Sequence, residues 1–528
     1  MKTYRYICIS LIALIFSSCS ESLLNTIPKD RLASELFWKT EQDAEYAVNG
    51  IYSILGGQWR YTCMDGYTDI AHFVLQWRDE STIEKNTHNA SSNVAASEWS
   101  YYYTIIAAVN SFLENIDLVE DIDGTLKSRL VAEAKTLRAF SFINLVMLYG
   151  DVPLITATLT IDDAKAVTRD SASSIWDFIA QELTAAADDL PVEQSQHGRV
   201  TKGVALGLKA RAMLYSGRYQ DARTAAKAVI DLNAYKLHDS YPELFDYAAD
   251  GVSEIMFARQ YAQNINAHSI FAFYTPNSLY TQQCQLVPTK PLVDAYLMKT
   301  TGLPIDNPNS GFDPKNPYKD RDPRLGYTIF VTGDQLPDGN TLNTLPGSGT
   351  GDDITISAEN VTPTGWYFKK YVSFSDYSNP WNCGVSLAYL RYAEVLLTYA
   401  EACIELGGAS IDASVTDAIN QIRNRADVKM PAVTTTDQAE LREIVRRERM
   451  VELACEGLRL YDIRRWKICE AVIPGTVKGM TYEGTGGSLA TVELSGYVKE
   501  FNPSRNYLWP IPFNEITLNP NLSQNPGY

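Results

Sequence analysis

The fold turns on one stretch, GVALGLKARAMLYSGRYQDARTAAKAVIDL, residues 203–232. Small and apolar residues keep helical spacing through Ala205, Ala210 and Leu214, break at Gly217, and resume through Tyr219, Ala222, Ala226 and Val229. Small side chains let two antiparallel helices approach closely, and glycine permits the tight turn between them. A helix pair of this kind leaves an apolar face that only a neighbouring pair can cover. The stretch therefore predicts a stack of pairs, not a lone hairpin.

Working outward, apolar residues at three- and four-residue spacing without internal proline predict helices over 41–57, 97–118, 126–149, 171–190, 201–215, 219–231, 386–407, 412–425 and 437–456. Helix-compatible residues continue from the last of these to about Trp466. In 126–149, Leu130, Ala134, Leu137, Ser141, Leu145 and Leu148 form one stripe, and Gly150 with Pro153 stops the helix. The small residues of 203–232 fall where a tetratricopeptide pair places them, and weaker pairs can be drawn at 97–149, 171–215 and 386–425. The expected fold is mainly α: a tetratricopeptide-like helical-repeat scaffold of about four pairs, with little β. The scaffold covers mainly 41–232 and 386–466. A Pro-, Gly- and Asn-rich insertion at 233–385 forms a loop-rich lobe, with strand-like fragments at 255–259 and 327–331. Residues 467–528 form a C-terminal strap.

The 528 residues are 45% hydrophobic and 21% charged, a globular profile. Lysines and arginines number 46 against 63 acidic residues, a formal charge of −17, so a non-specific grip on nucleic acid would meet repulsion. Tyrosine is in excess at 32 residues beside 9 tryptophans, and amphipathic rings suit a neutral, hydroxylated ligand. Six cysteines, Cys63, Cys284, Cys383, Cys403, Cys455 and Cys469, lie beyond the first twenty residues with no C-x-x-C spacing, and buried free thiols are expected. The five histidines show no zinc-ligand spacing.

Lys2 and Arg5 precede an apolar run from Ile7 to Phe16, too short to span a bilayer, and this reads as an export signal over residues 1–18. Ser17 and Ser18 ahead of Cys19 resemble a lipobox, which implies a mature chain of 19–528 anchored at Cys19 by fatty chains. Two or more such chains hold a protein on a membrane persistently, whereas one does not.

Ordered motifs then run through the chain. They include Phe37-Trp38-Lys39-Thr40, Leu137-Arg138-Ala139-Phe140, Tyr149-Gly150-Asp151-Val152-Pro153-Leu154 and Asp322-Pro323-Arg324-Leu325. Leu390-Arg391-Tyr392-Ala393-Glu394, Glu448-Arg449, Glu452-Leu453, Glu456-Gly457, Arg464-Arg465-Trp466, Trp509-Pro510-Ile511-Pro512 and Asn525-Pro526-Gly527-Tyr528 follow. Together these resemble the SusD/RagB family of starch-utilisation-type lipoproteins from the outer membrane of Bacteroidetes, over essentially the whole mature chain. The resemblance implies a non-catalytic, lipid-anchored nutrient binder at the outer surface. Its ligand would usually be a glycan and its partner a SusC-type TonB-dependent transporter. A peptide-binding member of the family and, behind it, a surface glycoside hydrolase are the alternatives.

The family motifs do not fix ligand residues, so these must come from chemistry. A sugar offers a face of C–H groups and a rim of hydroxyls, which calls for an aromatic platform flanked by amides, carboxylates or guanidinium donors. The segment from Gln58 to Trp99 offers Trp59, Tyr67, Asp69, His72, Trp77, Arg78 and Asn86, with Trp77 expected to stack while Asp69 and Arg78 hold hydroxyls. Trp99 reads as core. Tyr280, Gln282 and Gln283 form a second candidate, and Trp366 and Trp381 a looser third. Glu448, Glu452 and Glu456 interleave with Arg449, Arg459 and Arg465, which predicts ion pairs along one helix. No cofactor is expected. Asp313, Asn316, Asp320 and Asp322 could supply oxygens to calcium, but their spacing and flanking prolines favour plain turns.

Overall fold

The computed structural model describes residues 37–528. The export signal and Cys19 lie outside the described residues. The chain from Thr40 folds at once into helix α1 (Glu41–Ile54), whose start is fixed by a capping box between Thr40 and Asp43. Four further long helices follow: α2 (Asn93–Asn115), α3 (Gly124–Tyr149), α4 (Ala172–Asp189) and α5 (Lys202–Tyr215). Ser92, Asp123, Ser171 and Thr201 cap them with side-chain oxygens. The stripe of α3 from Leu130 to Leu148 is fully buried, as its spacing predicts. Helix α5 turns through Gly217, with φ of 75°, into α6 (Tyr219–Asp231). Successive helices pack as neighbours from α2 to α6. After the insertion, α7 (Tyr392–Leu406) packs against α6, and α8 (Ala413–Arg423) and α9 (Gln438–Glu452) pack against α7. Helix pairs stacked this way bury a continuous core, the arrangement read from residues 203–232.

Strands are short. The pairs are β1 (Ala71–Phe73) with β3 (Leu286–Pro288), β2 (Ile255–Arg259) with β6 (Leu387–Arg391), β4 (Ile329–Phe330) with β5 (Tyr367–Phe368), and β7 (Gly475–Glu483) with β8 (Leu489–Lys499). All are antiparallel.

Four sequence expectations change here. Residues 386–407 open as β6, and helix begins only at Tyr392. Every residue of β6 is buried, and a run buried on both sides carries no periodicity to distinguish strand from helix. The helix over 437–456 does not continue to Trp466. It ends at Glu452, and the chain passes Cys455 (φ 62°) and Gly457 (φ 72°) before resuming as α10 (Arg459–Arg465). A Cβ at Gly457 would lie 2.2 Å from the Tyr61 carbonyl oxygen, so the break is built into the packing. Of the strand expected over 327–331, only β4 forms, because Arg324–Thr328 is helical. The strap contains the β7–β8 hairpin before its final segment docks. There Trp509 is fully buried, its backbone N–H donates to the Leu148 carbonyl (2.7 Å), and the Asn525 side-chain amide donates to the Tyr149 carbonyl (2.8 Å).

Glu448 and Glu452 of α9, and Glu456 just beyond it, also pair differently from the expectation. Glu448 meets Arg324 and Arg423, Glu452 meets Arg324, Arg391 and Arg425, and Glu456 meets Arg391 and Lys370. Arg391 also reaches Glu254 (2.7 Å). These cations come from the insertion, from β6 and from the end of α8, so the network ties the lobe to the scaffold. Burial pushes the Glu452 carboxyl up, but Arg425, Arg391 and Arg324 outweigh it and bring it down to about 2. Arg449 and Arg465 share Asp462 and Glu401. The six cysteines are buried free thiols. Among the described residues, no helix is long and apolar enough to cross a membrane.

Candidate functional site

Pairing of β1 with β3 sets His72 opposite Val287, and the Val74 N–H continues the ladder to the Gln285 carbonyl (3.0 Å). The loop that leaves β1 therefore runs beside the loop that enters β3. Two segments more than 200 residues apart in sequence, each a separate candidate by composition, become one surface.

Trp77 stands on it with 66% of its surface exposed. Its indole N–H donates to Glu359 Oε1 (2.8 Å), while the other oxygen of Glu359 accepts from Gln283 Nε2 (3.0 Å). The Glu359 carbonyl accepts the Cys284 N–H (2.8 Å), so the carboxylate is held at both ends. On the Tyr280 side, Trp381 is 48% exposed, donates from Nε1 to the Tyr280 hydroxyl (2.7 Å) and packs edge-on against Phe273 (ring centroids 5.2 Å apart). Both indoles are thus tethered by their polar edges, with Trp77 mostly and Trp381 about half in solvent. Rings held in place lose little freedom when a ligand lands on them. Between them lie an amide, a carboxylate and a phenol able to meet hydroxyls.

The structure removes several sequence candidates from this surface. Asp69 is buried and forms a two-point ion pair with Arg459 (2.9 and 2.8 Å). His72 is buried with Nδ1 2.8 Å from Glu84, which Lys499 also approaches (3.0 Å). Burial pushes the Glu84 carboxyl up, yet His72 and Lys499 prevail and lower it to about 2. Tyr67 is packed between Phe73 and Trp509. Trp366 is 2% exposed and donates to the Tyr318 hydroxyl (2.9 Å). Each is a large or charged side chain whose partner makes interior burial favourable, so none reaches a surface ligand. Arg78 pairs with Glu80 (2.6 Å) next to Trp77. Asn86 adopts a left-handed conformation (φ 58°) and donates to the Glu500 carbonyl (2.7 Å), a structural tie to the strap. Trp59 belongs to the short helix Gln58–Tyr61, and its side chain lies outside the described structure. Trp99 is core, as expected.

The calcium candidates disperse. Asp313 accepts from Asn316 (2.6 Å), Asp320 from Thr300 (2.8 Å), and Asp322 pairs with Arg324 (2.7 Å). Among the described residues, no group of three or more His, Cys, Asp or Glu side chains is placed to hold a metal ion.

Comparison with known proteins adds the family. The model described as "SusD family" matches residues 250–528, and one described as "Starch-binding associating with outer membrane" matches residues 44–214. The chain belongs to the SusD family. Among its relatives, SusD-like protein P2 of Formosa agariphila is 26% identical over the full length of both chains. The starch-binding protein SusD of Bacteroides thetaiotaomicron is 26% identical over 86% of this chain and 82% of its own. Among solved structures, a SusD-like carbohydrate binding protein from Bacteroides fragilis superposes with a TM-score of 0.83 at 28% identity, covering 92% of this chain and all of that one. The mainly α, tetratricopeptide-like architecture is therefore the SusD fold.

Within that fold, Glu359 is the residue of the candidate face that sequence reasoning missed. It lies in an irregular stretch with no periodicity and no motif. Its only distinction is spatial, as the acceptor shared by Trp77 and Gln283.

Proposed function

We infer that this SusD-family chain is a non-catalytic oligosaccharide binder at the cell surface. It captures glycan on the face of Trp77, Tyr280 and Trp381, and delivers it to a SusC-type TonB-dependent transporter. The observation that carries the reading is the pair of exposed indoles, each fixed by a hydrogen bond from its N–H, flanking Gln283 and Glu359. Aromatic faces cover sugar C–H groups, and the polar groups between them take the hydroxyls. The names of relatives that bind starch or carbohydrate support the ligand class. The lipobox-like Ser17-Ser18-Cys19 supports an acyl anchor at the outer membrane, the compartment named in one matching family description.

The reading also assigns roles away from catalysis to the acidic residues that a hydrolase would use, since Glu448, Glu452 and Glu456 are occupied by buried cations. Affinity electrophoresis through gels containing starch, laminarin and other polysaccharides tests ligand capture: retardation by at least one glycan is expected, and free migration in all of them refutes the reading. Co-purification of the tagged chain with an outer-membrane transporter tests delivery, and its absence from detergent-solubilised membranes removes the partner.

A further inference from the structure

Behind the segment that carries Trp381 lies a cleft of about 840 Å³, bounded by the 192–201 loop, by β2 and by residues 246–266 and 384–386. Its wall and the aromatic face share one piece of chain. Residues 374–384 expose Phe374 (38%), Tyr377 (41%) and Trp381, and then enter the cleft at Gly384. The segment is bolted to the cleft wall. The Tyr247 hydroxyl donates to Asp376 Oδ1 (2.5 Å) and accepts from Gln263 Nε2 (3.0 Å) and the Gly384 N–H (2.8 Å). Asn264 and Asn382 exchange two hydrogen bonds, and His268 and Cys383 exchange two backbone ones. A surface so tied presents the face and the cleft in one fixed relation.

The cleft's lining repeats the chemistry of the face. Tyr247 and Tyr261 supply rings, and Gln260, Gln263 and Asn266 supply amides at its exposed edge. Its charges disfavour an anionic ligand. The guanidinium of Arg199 is engaged by Glu133, Asn49 and Gln196, whereas the carboxylates of Glu193 and Asp250 are exposed. From Trp381 to Gly384 the chain spans at most ~11 Å, the length of two or three sugar units.

We propose that this cleft is a second subsite for the same ligand, and that the ligand is an uncharged polysaccharide chain long enough to run from Trp77 and Trp381 across residues 374–384, past Tyr247 and into the cleft. The proposal rests on the glycan-binding reading of the aromatic face. It adds chain length and neutrality as determinants that the face alone does not impose.

The test uses the full mature chain and calorimetric titration with malto- and laminari-oligosaccharides from disaccharide to decasaccharide, with polygalacturonate and chondroitin sulfate as anionic probes. Affinity should keep rising beyond the length that covers the aromatic face. Gln260→Ala should weaken binding of the longest chains about tenfold while leaving the shortest unchanged, whereas Tyr247→Ala, which also frees residues 374–384 and with them Trp381, should weaken both. Gln260 is exposed and its amide lies over Gly198 at the cleft rim, so a thermal melt of Gln260→Ala beside the titration separates lost binding from lost folding. Affinity that saturates on short chains, wild-type behaviour of both variants on long ones, or preferential binding of the anionic polymers overturns the second subsite while leaving the aromatic face intact. If no polysaccharide retards the wild-type chain in affinity gels, the glycan reading itself falls and the subsite with it.

Discussion

Replacing Trp77 by alanine should weaken ligand affinity while leaving the fold nearly untouched. The indole is 66% exposed, and its one described tie is the 2.8 Å hydrogen bond to Glu359. An exposed bond of this kind contributes at most ~1 kcal/mol, so the melting temperature should move by no more than ~2 °C. The binding loss is larger. A pyranose lying on one face of the ring hides roughly 60–80 Å² of apolar surface, worth ~1.5–2 kcal/mol at ~25 cal/mol/Å², or about 12- to 30-fold in dissociation constant. Trp77→Phe keeps an aromatic face but drops the N–H donor, and should recover most of the affinity. The assay is calorimetric titration with whichever glycan retards the wild-type chain in affinity gels, paired with thermal melts of all three proteins. Unchanged affinity in Trp77→Ala, or a melting temperature that falls by many degrees, would refute the assignment of Trp77 to a surface platform.

Three further outcomes follow from the interior. Arg391→Met should destabilise the chain by ~3–5 kcal/mol, because Glu254, Glu452 and Glu456 lose a shared buried cation, and a urea midpoint equal to wild type would show that the network does not hold the lobe to the scaffold. Gly457→Ala should cost more than ~2 kcal/mol, since φ is 72° and the new methyl meets the Tyr61 carbonyl at 2.2 Å; a wild-type melt contradicts the break between α9 and α10. Burial pushes the Glu98 carboxyl up from 4.5 to about 7 despite Arg60, so the folded state holds a proton that the unfolded state releases. Stability from this group is thus full below pH 4.5 and is lost as pH rises through about 7. Glu98→Gln should flatten that decline in urea titrations run from pH 4.5 to 8, and an unchanged slope would assign the pH dependence to other groups such as Asp65, which burial also raises to about 7.

The helical stack was legible because its signal is local. Helix period, capping residues such as Thr40 and Thr201, and the turn at Gly217 act within a few positions of the chain, and small residues at 205, 210, 222 and 226 announce close helix approach wherever the partner lies. Motif order likewise survives in linear sequence, and with it the family. Four of the five residues of the candidate face were legible too, since Trp77, Tyr280, Gln283 and Trp381 were singled out by residue type alone, and only Glu359 was not.

Tertiary structure alone decided which of the chemically suitable residues face solvent. Asp69, His72 and Tyr67 share a segment with Trp77 and look equally available in sequence. Asp69 is drawn inside by Arg459, 390 positions away, His72 by Glu84 and Lys499, and Tyr67 by Trp509. A polar group is buried only when a partner offsets its desolvation, and that partner is supplied by the fold, at no fixed sequence distance. For the same reason the glutamates of α9 pair with cations from other elements and not along their own helix, and Glu359 gains meaning only once β1 and β3 bring Trp77 beside Gln283.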